Sequence, residues 1–346
     1  MHQDMVFSVI ILSKDSEMDL LIKFAFGFPL IYGTFSMTLY AFIAIVLLID
    51  PPVNSTFYKL LVIGFVMNFF TYLNSFITCR IPQNTNFNGT FSDFFISHDR
   101  HQTDAWAPVH ISHTLHYNFA FSQYLHSLMI CLDRVLAIRF LLEWNKYRKT
   151  YVCLSIFIIF FVPLAFTHRI LFGTSFYVYN EHGNFFYIES TYSRSEMYSI
   201  LGPVLAVIAN LSLMMVVIAV HELIKLNNER YSKLKTKMIK MAVCTLVIEM
   251  FLVVLSFFNW YIWVMSSVKE NPVMAGWVFS LIPFASDALT LTPPFLILVF
   301  NETISAKCGE KIGYAMVRMG LPRYCFERMM RNIVGVAEVQ RTGSIY

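Results

Sequence analysis

Charge is what this sequence has least of. Of its 346 residues only 14% are Asp, Glu, Lys or Arg, against about 25% in ordinary soluble domains. The shortage is concentrated. Residues 24–49, 60–79, 105–132, 150–167 and 197–221 hold no charged side chain, 241–268 hold only Glu249, and 271–300 hold only Asp287. A helix of about 20 apolar residues crosses a bilayer core. A soluble core helix of such length would carry a polar stripe, and the strands of a membrane barrel would alternate polar and apolar in runs of about ten. Neither pattern is present, so both classes are excluded. All 26 Lys and Arg lie outside the seven stretches, which excludes a retinal protein built on an intramembrane lysine Schiff base.

Cysteine is also scarce where it would matter. Of the six, only Cys79 falls at an outer span end; Cys131, Cys153 and Cys244 are in or near spans, and Cys308 and Cys325 follow the last one. The outer loops therefore hold no pair for a disulfide. No internal repeat of the transporter kind is visible, and no loop is long enough for a soluble domain. A cleavable signal peptide is not evident either. The apolar run Val6–Leu12 is followed by Lys14, Asp15, Glu17 and Asp19 rather than a small-residue cleavage site, so the first span is expected to serve as the insertion signal.

What is present is apolar and aromatic, 57% and 16% of the chain. The expected fold is an all-α membrane protein, a seven-transmembrane helix bundle with spans at about 24–49, 60–79, 106–132, 150–167, 197–221, 241–266 and 274–300. Of the 26 Lys and Arg, 7 fall in one set of loops and 19 in the other. The positive-inside rule places the second set in the cytoplasm. Residues 1–23 are then an extracellular segment, 24–300 the bundle and 301–346 a cytoplasmic tail. The basic surplus becomes a cytoplasmic face suited to anionic lipid, not a nucleic-acid footprint. Asn88-Gly89-Thr90 is an N-glycosylation sequence on the outer side. Asn54-Ser55-Thr56 and Asn301-Glu302-Thr303 fall inside and read as chance matches. Prolines are tolerated in membrane helices and kink them, and the Pro293-Pro294 pair is expected to break the seventh.

Several side chains are candidates for function. Asp133-Arg134 ends the third span. It reads as an interfacial pair with a snorkelling arginine, or as a switch whose arginine is released to dock a cytoplasmic partner. Asp287 sits near mid-bilayer, as a ligand counter-ion or as a hydrogen-bonding residue beside Ser286 and Thr290. Glu249 has no base in any span and is expected to meet Arg134 or Asn210 as part of a network. His110, His113 and His116, three apart, drift around one helix. That is a poor tetrahedral metal set; they line an outer semi-polar pocket with Tyr117, or simply bond between helices. Trp260 and its neighbour Trp263 could face that pocket, while Trp106 and Trp277 read as interfacial anchors. Leu223, Ile224 and Leu226 extend the fifth helix into a basic 222–240 loop. Cys308 and Cys325, among basic residues, are palmitoylation candidates.

Seven spans with the N-terminus outside, Asp133-Arg134 closing the third and a basic third inner loop resemble a G-protein-coupled receptor. More narrowly, Tyr72-Leu73-Asn74-Ser75-Phe76 through Arg80-Ile81-Pro82 resembles the nematode serpentine receptor class gamma family, along almost the whole chain. The resemblance implies a chemosensory receptor in the plasma membrane of a sensory neuron. It implies a small-molecule or peptide ligand in an outer pocket, a heterotrimeric G-protein partner, no cofactor and no enzymatic activity. Asp133 and Arg134 stand where the family has its third-span acid–arginine motif. The chain departs from the rhodopsin-like pattern. Neither Ala105–His110 nor 168–196 holds a cysteine, the seventh span reads Leu291-Thr292-Pro293-Pro294-Phe295, and no proline stands beside Trp260. Two other classes remain open on sequence alone, an intramembrane zinc hydrolase suggested by the histidines and a transporter.

Overall fold

The computed structural model describes residues 16–50, 56–99, 108–140, 143–180, 185–192, 194–225, 232–268 and 286–318. Long helices dominate: α1 (Ser16–Ile49), α2 (Thr56–Ser75), α5 (Val109–Arg139), α6 (Trp144–Leu171), α7 (Arg194–Lys225) and α8 (Ser232–Val268). Shorter pieces are α3 (Ile81–Gln83), α4 (Ser92–Ile96), the helical residues 286–291 (α9), α10 (Pro293–Phe300) and α11 (Glu302–Arg318). Five segments among the described residues are long and apolar enough to cross a membrane: Gly27–Ile49, Thr56–Gln83, Lys146–Leu171, Glu196–Lys225 and Ile239–Tyr261. Their outward faces carry Ile31, Leu48, Phe157, Phe161, Val207, Val217 and Phe257, each more than half exposed. In water such a coat would be an aggregation surface; in lipid it is the ordinary solvent face.

The third long helix is built differently. α5 packs against α2, α6 and α7 and buries His113, Thr114, Asn118, Ser122, Gln123, His126, Ser127 and Asp133. A helix surrounded by protein needs partners for its polar groups rather than compatibility with lipid. That is why α5 lacks the apolar signature of its neighbours. The expected start of this span near 106 lies among residues outside those described, and the helix runs past Asp133-Arg134 to Arg139.

Lipid offers no hydrophobic gain when two helices meet, so close packing must hold them. Two glycines make that possible. A Cβ on Gly64 of α2 would stand 2.5 Å from the His126 ring of α5, and one on Gly33 of α1 would stand 2.3 Å from Tyr72 of α2. The main core runs through Tyr40, Leu60, Phe121, Tyr124, Ile159 and Leu252.

The ends of the bundle differ. At one, the chain after α6 forms a hairpin, β1 (Ser175–Asn180) against β2 (Phe185–Ser190), antiparallel with Ser175 opposite Ser190. The all-α expectation needs this correction. Ser175-Phe-Tyr-Val-Tyr and Phe185-Phe-Tyr-Ile are rich in aromatic and β-branched residues, which favour strands. Tyr177, Phe186 and Ile188 pack with Phe95 of α4 and Val109 of α5 in a separate cluster. At the opposite end α11 lies against α1 and α10. The helix breaks at Thr292, and α10 restarts with Pro293 and Pro294 in its first turn, where proline's missing N–H costs nothing. Asn301 then starts α11, its Oδ1 accepting from the Ile304 N–H at 3.2 Å. That capping role accounts for the burial of Asn301 in the Asn301-Glu302-Thr303 match.

Candidate functional site

At the α11 end, Arg134 Nη2 donates to Asp133 Oδ2 at 3.0 Å, and its guanidinium lies 3.9 Å over the Phe57 ring of α2. The Asp133 side chain is 2% exposed, with Trp144 and Arg148 of α6 facing the same carboxylate. Asp133 Oδ1 and Arg134 Nε are buried without a hydrogen-bond partner. Arg134 also lines a small cavity with Ile138 of α5, Val216 and Leu223 of α7, and Ala242 and Thr245 of α8. The arginine is thus held by its neighbour and an aromatic face, at a gap between three helices.

Halfway along the bundle, the fully buried Glu249 of α8 accepts from Ser127 Oγ and from Cys131 Sγ, the latter at 3.1 Å, both on α5. The expected partners are elsewhere: Arg134 is engaged by Asp133, and Asn210 bonds the Ala206 carbonyl on its own helix. A step away, Gln123 Nε2 donates to Asn68 Oδ1 of α2 at 3.1 Å and to Thr290 Oγ1 of α9 at 2.8 Å. His126 bonds the Leu60 carbonyl at 2.9 Å. A cavity of about 50 Å³ opens beside these groups, lined by Asn68, Gln123, His126 and Ser127 among apolar side chains. That is room for ordered water.

At the hairpin end α2 passes into a π-helical turn, Phe76–Arg80, closed by the Ile81 N–H on the Phe76 carbonyl. The extra residue turns the helix, and Thr78 and Arg80 are buried. Arg80 donates to Asp287 of α9, their side chains 8% and 16% exposed, and its guanidinium stacks 4.9 Å from the Phe76 ring. This corrects two expectations. Asp287 has a base, and Thr290 serves Gln123 rather than Asp287. Arg80 directly follows the charge-free run 60–79, and by charge pattern alone it reads as the first residue of the following loop. The aromatic Phe76 four residues earlier was the available signal.

The remaining pocket candidates separate. His113 Nδ1 lies 3.0 Å from Ser175 Oγ of the hairpin, and its ring stands 5.4 Å from Tyr117. Tyr117 in turn faces Tyr198 of α7 at 6.4 Å. His110 is half-buried on the same helix. Trp260, by contrast, is 43% exposed beside Phe257 on an outward face of α8; it is not brought together with His113 and Tyr117. The Trp263 side chain, Trp106, Trp277 and Cys325 lie outside the described residues. Among those described, no three His, Cys, Asp or Glu converge as a metal set.

Two surface candidates also resolve. Asn88 is exposed in the turn after α3. Cys308 is 3% exposed and belongs to the main core, and burial pushes its thiol up to about 11. The amphipathic α11 turns that residue inward, so it is not presented for acylation.

Apolar outward faces, a polar central helix and charged groups paired inside the bundle define a multi-pass helical membrane protein. Residues 26–307 match the Srg family of chemoreceptors. The chain belongs to that family. It is 22% identical over 283 residues to serpentine receptor class gamma-31 of Caenorhabditis elegans, an alignment covering 79% of this chain and 88% of that one.

Proposed function

We propose that this protein is a chemosensory G-protein-coupled receptor of the plasma membrane, with seven spans, the N-terminus outside and residues 301–346 in the cytoplasm. A small-molecule ligand binds toward the hairpin end, near His113 and Tyr117, and a heterotrimeric G protein docks at the α11 end. The observation that carries this reading is the Asp133–Arg134 pair beneath Phe57, at the gap between α5, α7 and α8. A ligand that favours a wider gap shifts a two-state bundle toward it, and Arg134, released from Asp133, becomes a donor for the partner. Lys225, exposed at the end of α7, extends that surface.

The test needs no ligand. Asp133→Asn removes the charge that holds Arg134, so ligand-independent nucleotide exchange on a co-expressed promiscuous G protein should rise several-fold at matched surface expression. Adding Arg134→Ala should abolish the rise. Unchanged basal exchange in Asp133→Asn, with normal surface levels, would sink the proposal.

A further inference from the structure

The π-helical turn at the hairpin end presents a thiol to an imidazole on the neighbouring helix. Cys79 Sγ lies 4.0 Å from His116 Nδ1. The Thr78 hydroxyl stands 3.4 Å from that nitrogen and 3.6 Å from the sulfur. The His116 ring packs edge-on against Tyr117 at 5.4 Å, which limits its rotation. Cys79 is half-buried and carries a thiol, not a disulfide. The other described cysteines differ: Cys131, Cys244 and Cys308 are buried, and Cys153 is exposed on α6.

A thiolate, not a thiol, is the nucleophile, and a base within reach of the S–H creates it. We propose that Cys79, with His116 as its base, is a covalent capture site for small electrophiles of the α,β-unsaturated carbonyl class. With the ring hydrogen on Nε2, His116 Nδ1 accepts the Sγ proton. The sulfur pair forms a bond to the β-carbon, the π pair moves to the α-carbon, and that carbon takes the proton back from His116. Nothing leaves, so the adduct mass is the sum of the two. The inference gives the receptor proposed above a ligand class and rests on that reading for its signalling consequence, but not for its chemistry.

The test treats the full-length protein in lipid nanodiscs with limiting N-ethylmaleimide and reads each cysteine by peptide mass spectrometry. Cys79 should be modified, and His116→Asn should slow that modification about tenfold while leaving Cys153, on the lipid-facing side of α6, unchanged. Continued protection of Cys131 and Cys244 certifies the fold of the variant; if they become reactive, His116→Gln takes its place. Cys79 left unmodified, or modified as fast in a folded His116 variant as in the wild type, overturns the proposal. The outcomes also separate from the receptor reading. A fast Cys79 adduct in a chain that never engages a G protein sinks the receptor and keeps the site, whereas coupling without the adduct does the reverse.

Discussion

Arg80 and Asp287, 207 positions apart in the chain, form an ion pair between the π turn that ends α2 and the start of α9. Each charge alone would be costly inside the bundle; together they pin the end of α2 to α9. Removing one partner from a buried pair leaves an uncompensated charge, at a cost of about 3 kcal/mol or more. Arg80→Ala and Asp287→Asn should therefore each lower the thermal stability of the purified receptor and its surface level. The exchange Arg80→Asp with Asp287→Arg should recover part of both. Singles without effect would show that the pair carries no weight.

The approach of α2 to α5 depends on Gly64. A methyl group there meets the His126 ring at 2.5 Å, and His126 is tied to the Leu60 carbonyl. Overpacking of this kind costs about 1–3 kcal/mol. Gly64→Ala should lower the melting temperature, and Gly64→Ala with His126→Ala should recover part of the loss. Gly27, with open space around it, is the control position and should accept alanine.

The docking of α11 should be acid-sensitive. Lys307 Nζ lies 2.7 Å from Asp50 Oδ2 and donates to the Asp50 carbonyl at 3.0 Å. The hydrogen bond from Lys307 holds the Asp50 carboxyl below its ordinary value. Docked, Asp50 therefore binds fewer protons than undocked. Its contribution is complete above the ordinary carboxylate range and is lost as pH falls through the lowered value. The protection factors of the α11 amides, corrected for intrinsic exchange, should fall over that acid window in the wild type. Asp50→Asn should have lower protection at neutral pH and no such fall. Cys308, on the inward face of α11, should become easier to alkylate in the same variant.

Glu249 supplies a test of the mid-bundle contact. Glutamine keeps the shape and an acceptor for Ser127 and Cys131, so Glu249→Gln should reach the cell surface at close to wild-type levels. Glu249→Leu leaves both donors without an acceptor, a penalty of about 1–3 kcal/mol for each group, and should be retained inside the cell. Equal surface levels for the two would mean that the hydrogen bonds are dispensable.

Asn88 reports topology. If the hairpin end is extracellular, an endoglycosidase-sensitive mass shift should be present and should vanish in Asn88→Gln. A shift that persists in Asn88→Gln and vanishes in Asn54→Gln would invert the proposed orientation.

The helices were legible because charge is excluded from lipid-facing segments wherever it is not paired, and that leaves a mark in the linear sequence. The bundle interior leaves a weaker one. Asn68, Gln123 and Thr290 look unremarkable on three separate helices, and only packing makes them a network. Arg80 was misassigned because the π turn decides which way its side chain points, and no spacing rule announces a π turn. The hairpin was hidden inside a loop whose aromatic alternation is shorter than the charge pattern used to draw the map. The basic neighbours of Cys308 suggest a membrane surface, while its inward face depends on Asn301 fixing where α11 begins. Trp260 was placed by its height in the span, which says nothing of the direction it faces.

The polar character of α5 bears on how the chain is made. With the proposed seven spans, α5 must enter the bilayer carrying Asp133, Gln123, Asn118 and four histidines within its helix. Its partners α6 and α7 are synthesised later. Such a segment is expelled by hydrocarbon when alone, so its stable insertion waits on its neighbours. Nascent chains cut after α5 should then leave it loosely inserted, and chains extended through α7 should hold it firmly. Assembly of this receptor would be finished from the C-terminal side, around a centre that was translated early and committed late.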